Sequence, residues 1–529
     1  MRFKIEKKYI LLPIGKQATS KTLCIYRCDD QQKELVMDFD VKLDMFNPDL
    51  TVYIDVEHLI GEMVECITIP EMAFQLEQSN IQNAETGEAY RPFIHYTAKK
   101  GWTNDPNGMI KYRGRYHLFY QHNPLGLHHT YNVHWGHAVS DDMLHWEEKA
   151  PALCPDKMGL PYSGGAIEDV HNITGLKKDD HNPILLYYTA ATRSLLSGGG
   201  KWSQCMAYSL DGGEHFEKYE NNPLLVNEIA PLELGYDERD PKVVWVDEIG
   251  KYVMFIFVKN PNIYRFLSSA DLINWTPMHD FVFEGDRECP DIFPYCIDGE
   301  RKWILMGAND YYVVGTFEGD RYVAQTNPKR LSYSDNKASY AAHGFSGMEN
   351  GRVVKMYWDW INIPSNAIVN QMSIPVELKL CKDDDYYLTA TPVEELRELY
   401  VDERNLQYTI DSHLKILLNN AAYDIKLVCE KNTNITLCIF GHIFKYQAAK
   451  KAFMYNKKNF VPIREGADKL DIRVIVDKCS FEIFSDGGRA NITLPLVCDY
   501  NLPYIELTAD QDIEIQELSV RELETIYEK

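Results

Sequence analysis

Three carboxylates in the middle of the chain share one local setting. Asp105, Asp240 and Glu288 each stand one or two residues before a proline, and an apolar, strand-like run follows each of them. Paired carboxylates can cleave a glycosidic bond, because one protonates the leaving oxygen while the other attacks the anomeric carbon or activates a water. In retaining enzymes the two groups lie about 5–5.5 Å apart.

Each carboxylate also has a structural explanation when it is taken alone. The segment 104–108, Asn-Asp-Pro-Asn-Gly, has ideal turn chemistry. Arg239 beside Asp240 could form a surface ion pair, and Glu288-Cys289-Pro290 alone is uninformative. Their equivalent placement in three repeats favours one shared site. The sequence leaves two roles open for Cys289: it is a small buried apolar residue, or it modulates Glu288.

A second repeated signature supports this reading. A serine, an aspartate two residues later and then an aromatic residue recur at 140–146, 209–216 and 269–275. Further hairpin starts are plausible near Gly165 and Ala341, which gives about five units of roughly 45 to 75 residues. Repeats of short antiparallel strands at this period predict a propeller, whose innermost strands converge on one axis. Carboxylates at their starts would then meet in one pocket.

The elements that position these residues are predicted to be strands. Apolar and polar residues alternate at 37–43 and at 470–476, as in strands with one buried face. The sequence therefore predicts an all-β protein with an N-terminal β-rich accessory domain (1–88), a repeat-containing catalytic domain (89–390), a helical linker (391–404) and a strand-rich C-terminal block (405–529). That block contains a hairpin that turns at 485–488.

Composition narrows the classes of partner. The chain has 529 residues, of which 45 % are hydrophobic, and a formal charge of −23. Two or three domains are expected at this length. The negative charge argues against nucleic acid or an anionic membrane as a partner, and it fits a neutral small-molecule or oligosaccharide ligand.

The remaining expectations concern location, metals and assembly. Twelve cysteines lack paired spacing, and the apolar run after the charged first eight residues is too short for a signal-peptide core. We therefore expect a reduced, cytoplasmic protein without a cofactor or metal. The histidines at 128, 129, 134 and 137 form a group, but an aromatic-rich hairpin is the preferred explanation. Three roles stay open for residues 1–88: a small domain that packs on the rest of the protein, a contact between subunits, or part of the pocket rim. A homo-oligomer is among the expected assemblies.

The run 95–153 strongly resembles glycoside hydrolase family 32, which holds invertases, levanases and inulinases, and the resemblance extends over about 89–529. Three separated active-site motifs occur in the family's order, which makes the resemblance specific. The matching segments are 104–108 (NDPNG), 116–121 (YHLFYQ), 134–138 (HWGHA), 162–164 (YSG), 239–241 (RDP), 288–291 (ECPD), 373–378 (SIPVEL) and 475–484.

The resemblance implies a five-bladed β-propeller followed by a β-sandwich. It implies that Asp105 is the nucleophile, Glu288 the general acid/base and Asp240 a transition-state stabiliser. It further implies a fructose pocket lined by Asn104, Gln121, Trp135, Ser163, Arg239 and Trp358.

The function that follows is retaining hydrolysis of terminal β-fructofuranosidic bonds in sucrose, fructo-oligosaccharides or fructans, through a covalent fructosyl-enzyme intermediate. Fructosyl transfer at the same site and a non-catalytic fructan-binding protein are the alternatives. Two departures stand out. Gly165 replaces the second serine of the family's frequent Ser-Gly-Ser, and residues 1–88 are additional to the family's minimal architecture.

Overall fold

The structure is a computed structural model, which describes residues 1–29, 32–82, 89–128, 132–227, 237–334, 338–410 and 413–527. Regular structure in these ranges is almost entirely strand, which confirms the all-β prediction. The helices found there are short 3-10 segments: Glu57–Leu59, Glu394–Leu399, Ala448–Lys450 and Asp486–Gly488. None of the described helices is long and apolar enough to cross a membrane.

The N-terminal unit consists of two small sheets that pack face to face. The strands of this unit are β1 (Arg2–Lys4), β2 (Tyr9–Ile14), β3 (Lys21–Cys28), β4 (Lys33–Val41), β5 (Leu50–Asp55), β6 (Met63–Ile69) and β7 (Glu77–Ser79). One sheet has the strand order β1-β6-β3-β4 and the other β5-β2-β7. The alternation at 37–43 leads into the core between the two sheets, where Val41 and Leu43 are buried. The predicted boundary at residue 88 lies outside the described residues.

Five antiparallel sheets, the blades of a propeller, follow in chain order. Blade 1 has β8 (Gly101–Tyr112), β9 (Arg115–Asn123), β10 (His134–Ser140) and β11 (Glu147–Glu148). Blade 2 has β12 (Leu160–Glu168), β13 (Ile184–Ala191), β14 (Ser203–Ser209), β15 (Glu217–Lys218) and β16 (Leu225–Val226). Blade 3 has β17 (Glu238–Val246), β18 (Lys251–Val258), β19 (Ile263–Ser269) and β20 (Thr276–Phe281).

The last two blades complete the ring. Blade 4 has β21 (Asp291–Ile297), β22 (Glu300–Met306), β23 (Tyr311–Glu318), β24 (Arg321–Ala324) and β25 (Lys329–Arg330). Blade 5 has β26 (Ser339–Gly344), β27 (Val353–Asp359), β29 (Gln371–Met372), β30 (Val376–Lys382) and β31 (Tyr386–Pro392). The short strand β28 (Ile368–Val369) lies between β27 and β29 in sequence and pairs in parallel with β8 of blade 1. The end of the propeller thereby joins its beginning.

The serine–aspartate signature is a turn that closes the third strand of blades 1, 2 and 3. In each turn the serine hydroxyl donates to the aspartate carboxylate, at 2.9 Å from Ser140, 2.8 Å from Ser209 and 3.0 Å from Ser269. The same carboxylate accepts backbone N–H groups of the next residues, for example His145 N at 2.8 Å. The repeat in the sequence is therefore a repeated local structure.

The segment predicted as a helical linker contains only the 3-10 helix Glu394–Leu399, and Tyr400 already begins a strand. Leu396 and Leu399 are buried, so their spacing marks one packed face. The strands after it are β32 (Tyr400–Ile410), β33 (His413–Leu417), β34 (Tyr423–Glu430), β35 (Ile435–Ile439), β36 (His442–Gln447), β37 (Ala452–Met454), β38 (Phe460–Pro462), β39 (Lys469–Asp477), β40 (Ser480–Ser485), β41 (Ala490–Leu494), β42 (Tyr504–Ala509) and β43 (Ile513–Leu523).

These strands form a β-sandwich of two six-stranded sheets, β32-β43-β34-β39-β40-β41 and β33-β42-β35-β36-β37-β38. The alternating residues of β39 face the core between the sheets. The predicted hairpin at 485–488 joins β40 to β41.

A buried ionic cluster connects the sandwich to the propeller. Asp477, at the end of β39, accepts the backbone N–H groups of Phe93 and Ile94 at 2.7 and 2.9 Å. His95 is hydrogen-bonded through Nδ1 to Asp477 at 2.8 Å and through Nε2 to Glu482 at 2.9 Å. The start of the propeller is thereby held against the sandwich.

Candidate active site

The innermost strands of four blades carry a β-bulge at the end that faces the cavity. The register shifts between Thr103 and Pro106 in β8, between Tyr162 and Gly164 in β12, between Arg239 and Lys242 in β17, and between Tyr340 and His343 in β26. A bulge re-aims the side chains next to it, and bulges are common beside active sites. Asp105, Ser163 and Asp240, all predicted site residues, lie within these shifts.

Two of the predicted carboxylates have left-handed backbone conformations. Asp240 has a φ of 63°, Glu288 a φ of 56° and the adjacent Cys289 a φ of 37°. Non-glycine residues adopt this region rarely and at an energetic cost, and such residues cluster at functional sites. The surrounding sheets hold the two carboxylates in orientations that a relaxed strand would not give.

All three predicted carboxylates line one cavity of about 740 Å³, a size typical of small-molecule sites. Aromatic and polar residues surround them. The residues of the propeller that line it include Trp102, Asn104, Gln121, Tyr162, Ser163, Arg193, Arg239, Cys289, Tyr340, Trp358 and Trp360. The repeat argument, which predicted that carboxylates from separate units meet in one place, is confirmed by this geometry.

Hydrogen bonds fix the carboxylates relative to one another. Ser163 donates its hydroxyl to Asp105 Oδ2 at 2.7 Å. Arg239 donates to Glu288 Oε1 at 2.8 Å, and its Nε lies 3.6 Å from Asp240 Oδ2. Asp237 accepts from the same guanidinium at 3.0 Å. One partly buried arginine therefore bridges two of the three carboxylates.

Two further residues of the site are Tyr340 and Cys289. Tyr340 was not predicted from the sequence, and for Cys289 a role beside Glu288 was one of two alternatives. Tyr340 donates its hydroxyl to Glu288 Oε2 at 2.5 Å. The Cys289 backbone N–H donates to Asp240 Oδ2 at 3.0 Å, and its Sγ lies 3.6 Å from Asp240 Oδ2 and 3.9 Å from Asp105 Oδ2. Cys289 is thus a buried link between the two aspartates.

The electrostatics of the cluster favour retention of a proton near neutral pH. Burial raises the pKa of Asp105 to about 7, assisted by the charges of Asp240 and Glu288 and opposed by the Ser163 hydroxyl. Burial likewise raises the pKa of Asp240 to about 6, against the attraction of Arg239. Because the groups interact, the proton belongs to the cluster rather than to one residue.

Two polar atoms of the cavity lining have no hydrogen-bond partner among the described residues: Asn104 Oδ1 and the indole Nε1 of Trp358. Buried polar groups in folded proteins are normally paired, so unpaired ones call for a ligand or water. An acceptor and a donor beside three carboxylates suit a ligand rich in hydroxyl groups.

The family model described as "Glycosyl hydrolases family 32 N-terminal domain" matches residues 95–392. The chain belongs to glycosyl hydrolase family 32. It is therefore a glycosidase, and the matched region is the propeller that carries the cavity.

The chain is similar to proteins named levanase, invertase and exo-inulinase. The levanase of Bacillus subtilis is 28 % identical over 531 residues, which cover 89 % of this chain and 76 % of the levanase. The invertase of Schizosaccharomyces pombe is 35 % identical over 292 residues, 51 % of this chain and 48 % of the invertase. The crystal structure of the Aspergillus awamori exo-inulinase shares the fold, with a TM-score of 0.73 at 23 % identity over 83 % of this chain and 99 % of that one.

The predicted substrate-binding residues of this family-32 chain divide into two groups. Asn104, Gln121, Ser163, Arg239 and Trp358 line the cavity. Trp135 does not belong to its lining; the side chain is fully buried in the blade core, and its Nε1 donates to Tyr162 O at 3.1 Å. The prediction for Trp135 is therefore wrong, because the residue lies on the third strand of blade 1 and packs beneath the inner strand.

The family-32 departure at Gly165 also has a structural reason. A Cβ atom at this position would lie 3.1 Å from Lys242 Cδ and 3.2 Å from Pro241 O. The neighbouring blade approaches closely here, one residue after Asp240. In that blade, the left-handed backbone of Asp240 and the bulge in β17 leave little room for a serine at position 165.

One side-chain group in the described part of the chain has a spacing that could hold a metal: His95, Asp359 and Glu482. Burial lowers the pKa of His95, but its hydrogen bonds to Asp477 and Glu482 prevail and raise it to about 10. A protonated imidazole has no lone pair for a metal, so a buried ion cluster explains this group better. In the other histidine group, His137 pairs with His117 at 3.1 Å and His134 with Asn132 O at 2.6 Å, while His129 lies outside the described residues.

Proposed function

We propose that this chain is a retaining β-fructofuranosidase that releases terminal fructose from sucrose, fructo-oligosaccharides or fructans. The observation that carries the proposal is the convergence of Asp105, Asp240 and Glu288 on one cavity. Membership of family 32 and relatives named levanase, exo-inulinase and invertase support the fructoside substrate class.

In the proposed mechanism Asp105 attacks the anomeric carbon of the fructosyl unit, and Glu288 gives a proton to the leaving oxygen. Glu288 then takes a proton from the water that cleaves the fructosyl ester. The raised pKa values of Asp105 and Asp240 support a cluster that retains a proton near neutrality. Tyr340 and Arg239, which both donate to Glu288, orient the acid.

Asp240 stabilises the transition state in this proposal. Its carboxylate accepts from the Cys289 backbone and lies beside the Arg239 guanidinium, so its position is fixed before substrate binds. A fixed carboxylate can accept hydrogen bonds from hydroxyl groups of the fructosyl ring. Its negative charge can also balance the positive charge that develops on that ring in the transition state. Asn104 Oδ1 and Trp358 Nε1 supply an acceptor and a donor for other hydroxyls.

The first test compares Asp105→Asn, Glu288→Gln and the control Asp298→Asn on sucrose, 1-kestose and levanbiose. Asp298 follows β21 at the end away from Glu288 and is largely exposed. We expect Glu288→Gln to lower kcat by about 10²–10⁴-fold and Asp105→Asn to abolish turnover, with the control unaffected. Full activity in either active-site variant would reject the assignment.

The covalent step can be tested with β-fructosyl fluoride and Glu288→Gln. Fluoride leaves without a proton, so the fructosyl ester on Asp105 forms, while its hydrolysis is slow without the general base. Mass spectrometry should show a protein heavier by one anhydrofructose unit, and added azide should release β-fructosyl azide. An inverted azide, or no adduct in rapid-quench samples, would contradict the retaining mechanism. Product analysis at high sucrose separates hydrolysis from transfer, which share this intermediate.

The cytoplasmic location stays a prediction from the sequence. It is checked by fractionating the source cells and assaying sucrose hydrolysis in each fraction, and activity confined to the extracellular fraction would contradict it.

A further inference from the structure

One side of the cavity is built by residues outside the family-32 domain. Five residues of the N-terminal unit line it together with the propeller: Ile14, Gly15, Lys16, Lys42 and Asp49. They lie at the ends of β2 and β4 and just before β5. We call these five residues the N-terminal wall. The region matched by the family model begins only at residue 95, so the wall lies outside that region.

The wall is tied together by its own hydrogen bonds. The backbone N–H of Lys16 donates to Asp49 Oδ2 at 2.7 Å, and Lys42 Nζ donates to Lys16 O at 3.3 Å. Gly15 N–H donates to Lys42 O at 2.9 Å. A Cβ atom on Gly15 would lie 2.7 Å from the Cβ of Asp44, so only glycine allows this close approach.

Contacts with three blades hold the unit that carries the wall. Lys16 Nζ donates to Ser365 O and to Asn366 Oδ1 in blade 5. Asp40 N–H donates to Asn132 Oδ1 in blade 1 at 2.7 Å, and Asn132 Nδ2 donates back to Asp40 O at 2.6 Å. Asp38 accepts the backbone N–H of Leu195 in blade 2 at 2.8 Å. The wall therefore has a fixed position relative to the cavity.

Aromatic residues of blade 5 lead from Glu288 toward this wall. Tyr340, which donates to Glu288, has its ring 6.4 Å from that of Trp358. Trp358 in turn stacks on Trp360, with the centroids 5.5 Å apart and the planes at 20°. Trp358 is 7 % exposed and Trp360 50 %, so the series runs outward from the acid/base. Trp360 and the exposed Asn362 line the same cavity as the wall.

We propose that the N-terminal wall, with Trp360 and Asn362, forms a binding subsite for the sugar unit on the leaving-group side of the scissile bond. The inference rests on the proposed function, in which Glu288 protonates the leaving oxygen. The group that protonates the leaving oxygen must face the leaving sugar, and Trp360 continues the cavity on that side.

The chemistry of the subsite suits a neutral sugar ring. The exposed indole of Trp360 offers an apolar face, while the ammonium of Lys42 and the carboxylate of Asp49 offer a donor and an acceptor for hydroxyls. The ammonium has three donors, of which one reaches Lys16 O. The occupant is the second sugar unit of sucrose or of a short fructo-oligosaccharide.

The test compares 1-kestose with methyl β-D-fructofuranoside, which carries a methyl group in place of the leaving sugar. The variants are Lys42→Met and Trp360→Ala. Two control variants change residues that do not line the cavity: Lys4→Met, exposed in the N-terminal unit, and Trp245→Ala, 44 % exposed in blade 3. The measured quantity is the ratio of kcat/KM for 1-kestose to that for the methyl fructoside.

We expect the ratio to fall about tenfold in Lys42→Met and in Trp360→Ala, because each loses one hydrogen bond or one stacking contact, and to stay constant in the controls. Lys42→Arg, which keeps donors at this position, should recover part of the ratio. A ratio within about twofold of wild type in either variant would overturn the subsite as proposed. If the wild-type protein hydrolyses neither substrate, the proposed function fails instead, so the two failures are distinguishable.

Discussion

The hydrogen bond from Ser163 to Asp105 gives a direct test of which carboxylate must be ionised. Ser163 Oγ donates to Asp105 Oδ2 at 2.7 Å, and this bond lowers the pKa of Asp105, which burial nevertheless raises to about 7. Ser163→Ala removes the donor and leaves the other charges in place. The pKa of Asp105 should therefore rise further, and the carboxylate should ionise only at higher pH.

The size of the shift follows from the strength of the bond. A hydrogen bond to a charged group contributes about 1.5–3 kcal/mol, and about 1.4 kcal/mol corresponds to one pKa unit. Asp105 is only half-buried, so water can replace part of the lost bond. We therefore expect the acid limb of the kcat/KM profile to move up by about one pH unit. Well below the limb this corresponds to a loss of about tenfold, and the loss disappears at high pH.

The assay is the pH dependence of kcat/KM for sucrose in wild type, Ser163→Ala and Ser203→Ala. Ser203 is a suitable control because it is also a buried serine of blade 2 and does not line the cavity. A lower plateau in Ser163→Ala would report a lost contact with substrate, separately from the shift of the limb. If the alkaline limb moved instead, Asp105 would be the protonated group, and its assignment as nucleophile would be refuted.

Two further predictions concern stability. His95 has its pKa raised from 6.5 to about 10, so its contribution is complete below pH 6.5 and lost as the pH rises toward 10. In urea unfolding, His95→Gln should cost about 3–5 kcal/mol at pH 6, and its difference from wild type should shrink by pH 10; a constant difference would contradict the ion cluster. Trp135→Ala should cost about 3–5 kcal/mol because Trp135 is fully buried, and the milder Trp135→Phe should keep the KM for sucrose, whereas a residue that lines the pocket would change KM first.

The repeats allowed the three cavity-lining carboxylates to be found because each unit carries its signal within a few residues. A proline after Asp105 and Asp240 accompanies a bulge in the inner strand, and the bulge is what turns the side chain toward the axis. Tyr340 gave no such signal, since the fifth unit has neither a carboxylate nor a proline there. The hairpin start predicted near Ala341 marked the position, and the residue before it completes the site through Glu288.

The positions of Trp135 and of the N-terminal wall depend on packing that no local sequence pattern encodes. Trp135 belongs to a motif that the family places at the pocket, but motif membership does not specify which face of a blade a side chain occupies. In this chain the ring packs against Gly108 of the inner strand, where an added Cβ would lie 2.8 Å from Trp135 Cζ3.

The N-terminal wall shows the same limit at longer range. Its placement rests on pairs such as Asp40 with Asn132 and Asp38 with Leu195, which are about 90 and 160 residues apart in sequence. Such contacts depend on how the two units pack against each other, so periodicity within either unit cannot predict them. The wall lines the same cavity as the three carboxylates. In the proposed subsite, differences in this unit would therefore change the preference for the leaving sugar while the carboxylates stay the same.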